Sequence, residues 1–307
     1  MHTLPRLSRK AVVLGGCLAA AGCGGDDERA SESQTPSPTA EAYAALEAAD
    51  YAAVPALIER LDATFEQHPD QGRVAFYAGT MRLWRATGGP REIVEQLDDV
   101  LGAIDKLERA RELRPEDPHV NAFLGIAQVA LGARLNDEER IETGREVLAG
   151  GVPFYPPYVN GVRTQAFGML SRDHRYFPEA IDAMYATLEQ CGMDASPGGE
   201  ISVAYPTATP PATCWNRGIV EHVWEGIFLI YGDVFVKSGD LNRARQLYET
   251  AKLSPTFEAW PFAAELEARI ESAAERAALY ADADGSNDPP TWMQQSNLCI
   301  GCHASRR

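Results

Sequence analysis

Residues 296–307 read Ser-Asn-Leu-Cys-Ile-Gly-Cys-His-Ala-Ser-Arg-Arg, and Cys299, Cys302 and His303 within them are the residues best equipped for chemistry. Two thiols three positions apart share one helical turn, so each can reach one vinyl group of a porphyrin and form a thioether. The imidazole that follows is then set to bind the iron as proximal ligand. Cys-x-x-Cys-His is the attachment motif of c-type haem. Two other chemistries use similar residues. A thiol redox pair sits on a strand-helix-strand frame, and no strand-like alternation precedes this one. A structural zinc site takes four ligands; these supply three, and the chain has no second Cys-x-x-Cys. The expectation is one covalent haem c, held by Cys299 and Cys302 and ligated by His303.

Over about six residues the tail resembles c-type cytochromes. In the common small members the motif opens a haem domain, and a distal methionine follows. Here only Ala304, Ser305, Arg306 and Arg307 follow His303, so a second iron ligand has to come from upstream. The candidates are His222, His174 and Met293, with His119, His68 or solvent behind them. Cytochromes of the four-helix type carry the motif near the C-terminus of a long last helix. In this chain residues 281–290, Ala-Asp-Ala-Asp-Gly-Ser-Asn-Asp-Pro-Pro, read instead as a hinge. The reading is therefore a short hinge and haem-binding tail over 281–307. No distal Arg/His pair of a peroxidase-like site can be placed by spacing, so an electron carrier or scaffold is expected rather than an enzyme.

The opposite end supplies an address. Arg6, Arg9 and Lys10 precede an apolar run over residues 11–22, the pattern of an export signal. That run is too short to span a hydrocarbon core of ~30 Å. Ala21-Gly22-Cys23 resembles the lipobox of bacterial lipoproteins, which implies cleavage before Cys23 and acylation of its thiol; Leu14-Gly15-Gly16-Cys17 is the alternative, closer in its letters but leaving a very short apolar run and an apolar mature N-terminus. Residues 1–22 are then a signal peptide and residues 23–39, rich in Gly, Ser, Thr, Pro and acid, a solvated tether. In the lipoprotein pattern, Gly24 after the cysteine favours the periplasmic side of the outer membrane. A soluble periplasmic protein is the alternative.

Between these ends, residues 40–280 must form the scaffold. They are rich in Ala, Leu, Glu and Arg, with apolar positions recurring at steps of three and four, which predicts helices. Gly232, Phe235, Gly239, Leu241, Ala244, Tyr248 and Ala251, then Pro255, lie at spacings resembling a tetratricopeptide repeat. Gly232 and Ala244 would let two antiparallel helices approach, Phe235 and Tyr248 would fill the groove, and Gly239-Asp240 would make the turn. A second match joins Ala103, Leu107, Ala110 and Pro115 to Leu124-Gly125, with Asp117 capping a helix that begins at Pro118. Weaker echoes are His68-Pro69 with Ala78-Gly79 and Phe177-Pro178 with Ala180 and Met184. The resulting fold class is all-α, an irregular tetratricopeptide-like α-solenoid or helical bundle. Two stretches interrupt it. Residues 152–158, Val-Pro-Phe-Tyr-Pro-Pro-Tyr, are expected to be non-helical at their prolines. Residues 192–213 form a long loop bracketed by Cys191 and Cys214, an expected disulfide in an exported protein.

Charge narrows the partners. With 44 acidic against 28 basic residues the net charge is −16, and only Lys10, Lys106, Lys237 and Lys252 are lysines. Nucleic acid is excluded as a partner, since phosphates need a basic surface. Loss of the three basic signal residues takes the mature chain to about −19, a self-repulsion that favours solubility. Membrane contact would thus come through the lipid alone. The expected partner is a redox protein, or a peptide held on the helical scaffold. The alternative function is a tetratricopeptide-like adaptor or assembly lipoprotein in which haem is structural or incidental.

Overall fold

The computed structural model describes residues 36–48, 50–87, 93–197, 199, 201, 205, 214, 222–282 and 287–289. The protein is all-α: the described residues form twelve α-helices and two short 3-10 turns, and no strand. In chain order the helices are α1 (Pro38–Ala48), α2 (Val54–Gln67), α3 (Gly72–Thr87), α4 (Ile93–Leu113), α5 (Pro118–Leu135) and α6 (Glu138–Gly151). They continue with α7 (Pro156–Gly168), α8 (Pro178–Gln190), α9 (Val223–Ser238), α10 (Leu241–Ala251), α11 (Ala263–Glu271) and α12 (Ala273–Ala281). Successive helices pack as partners: α3 on α4, α5 on α6, α7 on α8 and α9 on α10.

Local sequence explains most of the boundaries. Asp117 accepts from the amides of His119 at 2.9 Å and Val120 at 3.4 Å, with Pro118 at the first helical position of α5. Asp137 and Asp240 cap α6 and α10 in the same way, accepting from Arg140 and Arg243 at 3.1 Å. Each cap satisfies an amide that the helix itself leaves unpaired. Gly239 ends α9 at φ 90°, a left-handed conformation in which a side chain would be strained.

Two expectations are corrected. Pro156 and Pro157 do not break a helix; they begin α7. A proline in the first turn has no amide to lose, and its fixed φ already suits the helix. Pro38 and Thr39, expected in the tether, instead begin α1, where Ser37 Oγ accepts from the Ala40 amide at 3.3 Å; residues 23–35 lie outside the described residues.

The partnered helices meet where small residues remove the obstacle between them. A Cβ at Gly232 would run into the ring of Tyr248 on α10, whose Cζ lies 2.8 Å from that position. At Gly79 it would meet Leu107 Cγ at 2.7 Å on α4, and at Gly125 the Gly144 carbonyl at 2.9 Å on α6. Helix α9 is the centre of the C-terminal half. Its buried residues, among them Trp224, Phe228, Leu229, Tyr231, Val234 and Val236, lie all round the helix. A helix apolar on every side has to be covered on every side, and α7, α8, α10 and α12 all pack against it. Burying each of those large side chains contributes roughly 1.5–3 kcal/mol.

Candidate functional site

Cys23, Met293, Cys299, Cys302 and His303 lie outside the described residues. Cys191 and Cys214 are joined by a disulfide with Cα atoms 5.7 Å apart, closing the chain between the end of α8 and the segment before α9. Two residues of the enclosed segment rest on the scaffold. The Ile201 amide donates to Gln246 Oε1 at 3.3 Å, and Tyr205 meets Trp224 edge-on with ring centres 5.0 Å apart.

The two described candidate histidines sit in different places. His174 lies between α7 and α8 with both nitrogens engaged: Nε2 lies 3.0 Å from Glu138 Oε1, and Nδ1 accepts from the Tyr176 amide at 3.1 Å. His222 occupies the N-cap position of α9 and is 1% exposed. Its Nδ1 lies 3.1 Å from Oε1 of Glu225, one turn into the helix. That oxygen also accepts from Thr256 Oγ1 at 2.7 Å, and Thr256 in turn shares a 2.9 Å hydrogen bond with Ser254. Glu225 is fully buried, and among the described residues its Oε2 has no hydrogen-bond partner. Of the remaining histidines, His119 packs against Tyr155 and Tyr158 with ring centres 6.0 and 4.7 Å away, and His68 is an exposed C-cap.

A second buried polar group lies at the middle of α9. Asp233 forms an ion pair with Arg269 of α11, lies 3.6 Å from Arg276 of α12, and accepts from Tyr248 Oη of α10 at 2.7 Å. Burial pushes its carboxyl pKa up, while the two guanidiniums and the phenol oppose that shift. Tyr248 is also held well above the ordinary phenol value, first by burial and then by the Asp233 charge beside it. One carboxylate thus ties three helices to α9.

Lys237, on the last turn of α9, is 3% exposed. Its Nζ donates to the Gly168 carbonyl at 3.3 Å and lies 5.2 Å from the centre of the Tyr280 ring and 5.9 Å from that of Phe177. Burial draws its pKa down to about 8, with Asp288 pulling the other way. Tyr280 Oη donates to the Pro289 carbonyl at 2.6 Å, and Asn287 Nδ2 donates to Asp282 Oδ2 at 3.0 Å. Residues 287–289 are therefore held to α12 and its C-cap, beside the C-terminal end of α9.

Glu225, Asp233 and Lys237 were not singled out as site residues in the sequence. The available signal was charge inside apolar surroundings: α9 places an acid and a lysine among Ile227, Phe228, Leu229, Ile230, Val234, Phe235 and Val236. The partners could not be read, because Arg269 is 36 residues from Asp233 and Thr256 is 31 from Glu225.

The chain matches no protein-family model, no characterised protein and no solved structure. Among the described residues, no helix is long and apolar enough to cross a membrane.

Proposed function

We propose that this is an exported, lipid-anchored monohaem c-type protein that transfers electrons to or from a periplasmic partner docked on a tetratricopeptide-like helical scaffold. The observation that carries the reading is Cys299, Cys302 and His303 at attachment spacing in a chain that opens with an export signal. The donor set fits the group. Cys191 and Cys214 consume each other in a disulfide, so neither competes for the thiols of the motif. Two thiols for the vinyl groups and one imidazole for the iron are what covalent haem requires. Bound there, haem supplies reversible one-electron exchange, while the protein sets its potential by axial ligand and burial.

The remaining roles belong to this chain. Tyr280 and Asn287 hold the start of the tail against α12, which supports a haem presented from a fixed root. The acidic surface favours a basic partner, with association weakening as salt rises. Acylated Cys23 would hold the protein at the periplasmic side of the outer membrane. The test is to express the full chain in cells with a haem-attachment system and run the mature protein on a denaturing gel. Covalent haem staining that disappears in Cys299→Ala is the expected result; a colourless wild type refutes the proposal.

The close crossing of Gly232 on Tyr248 favours one second reading, a repeat-type adaptor in which helices bind protein segments and haem is incidental. Deleting residues 282–307 separates the two. Loss of electron transfer with the scaffold still folded supports the carrier, while an unchanged phenotype supports the adaptor.

A further inference from the structure

We infer that one water molecule is built into the core where α7, α8 and α9 meet, held by the hydroxyls of Tyr231, Thr164 and Thr187 in the space beside Gly161. It stands whether or not haem is bound. The three helices pack on one another, and all four residues are buried. Tyr231, on α9, is fully buried, and among the described residues its Oη has no hydrogen-bond partner. Buried tyrosines usually find one, because a hydroxyl stranded away from water is costly. Burial pushes the phenol pKa up, and the hydroxyls of Thr187 on α8 and Thr164 on α7 oppose that shift. They face the phenol, yet neither makes a direct hydrogen bond with it.

The donors and acceptors balance around one water. Thr164 Oγ1 donates to the Asn160 carbonyl at 3.1 Å, and Thr187 Oγ1 donates to the Ala183 carbonyl at 3.0 Å. Each threonine has spent its only proton and offers lone pairs alone, while Tyr231 still has a proton to give. The three groups thus present one donor and two acceptors. A water accepts from Tyr231 and gives one proton to each threonine. Three hydrogen bonds are what an interior water typically makes. One molecule then serves three helices and leaves no hydroxyl stranded.

Gly161 provides the room. Apart from its own helix backbone and chain neighbours, a Cβ built on this buried glycine would meet only Tyr231 Oη within 4 Å, at 4.0 Å. At Gly79 and Gly132, also buried on helices, a Cβ would meet a neighbouring side chain at 2.7 Å. Gly79 and Gly132 are therefore required by close helix approach, and Gly161 is not. A space that takes a methyl group takes a water of similar size. An apolar void of that size stays dry, whereas one bordered by unsatisfied hydroxyls fills.

The first test is a high-resolution crystal structure of the full mature chain, which needs no variant. An ordered water within hydrogen-bond distance of Tyr231 Oη, Thr164 Oγ1 and Thr187 Oγ1 is the expected result. An empty space, or Tyr231 bonded directly to either threonine, overturns the inference. The second test is a cycle of variants followed by urea titration. Gly161→Ala places a methyl where the water sits and strands the phenol, so the folded-to-unfolded ratio should fall about fivefold to tenfold despite the gain in helix propensity. In a Tyr231→Phe background nothing is stranded, and the same substitution should raise the ratio about threefold. Oxygen-17 magnetic relaxation dispersion should report one fewer long-lived interior water in Gly161→Ala than in wild type. A Gly161→Ala protein that is more stable than wild type, or that keeps the same number of long-lived waters, overturns the inference.

Discussion

Replacing Gly232 by alanine tests whether the crossing of α9 on α10 is set by the missing side chain. The added Cβ would lie against Cδ1, Cε1 and Cζ of Tyr248, the last at 2.8 Å. Carbon atoms in contact prefer about 3.5–4.0 Å, and Cε1 and Cδ1 lie closer still than Cζ, so the helices or the ring must move by more than about 1 Å. The ring has little freedom. Tyr248 is fully buried, and its hydroxyl donates to Asp233 at 2.7 Å, which is itself held by Arg269. Overpacking of this kind costs typically about 1–3 kcal/mol. Loss of a hydrogen bond to a charged group adds about 1.5–3 kcal/mol if the ring turns away. Against this, alanine is a better helix former than glycine by roughly 0.5–1 kcal/mol. The net expectation is a loss of about 1–3 kcal/mol, dominated by the clash. Gly150, exposed in α6 with nothing within 4 Å of its Cβ position, supplies the control. There the helix term acts alone, so Gly150→Ala should gain roughly 0.5–1 kcal/mol. Thermal melts by far-UV circular dichroism and urea titrations of the purified mature protein read both changes, at roughly 2–4 °C per kcal/mol for a domain of this size. A Gly232→Ala variant as stable as the wild type, or more stable, would refute the reasoning.

Three further changes probe the polar and covalent supports. Asp233→Ala leaves Arg269, 3% exposed, without its buried partner, and should destabilise by about 3–5 kcal/mol in urea titration; a loss below 1 kcal/mol would mean the network is dispensable. Lys237 titrates near 8 in the folded protein, against about 10.4 in the unfolded chain. Between those values the unfolded chain holds a proton the folded one has released, so stability should rise with pH through that window, by about 3 kcal/mol in total. Lys237→Met should flatten that rise relative to wild type between pH 8 and 9.5, and parallel profiles would count against the assignment. The Cys191→Ala, Cys214→Ala double variant opens a loop of 23 residues' separation and should lose roughly 3 kcal/mol, a loss that reducing agent should reproduce in the wild type.

What the sequence by itself determined were features written in short spacings. The all-α class follows from a three-to-four-residue apolar period, the start of α5 from Asp117-Pro118, and the turn after α9 from Gly239-Asp240. The approach of α9 and α10 follows from Gly232 and Tyr248, which lie far enough apart for two helices and a turn. Each is a local choice whose partner sits within one helical pair. Tertiary structure alone decided the rest. That Pro156 and Pro157 start α7, where the sequence suggested an interruption, depended on where the helix began, a matter of packing. That Asp233 faces two arginines, that Lys237 is buried against Gly168, Phe177 and Tyr280, and that Thr256 backs Glu225 and His222 depended on helices remote in sequence converging on α9. Burial converts an ordinary acid or base into a costly one that must find a partner, and that partner is chosen by proximity in space, which no spacing along the chain records.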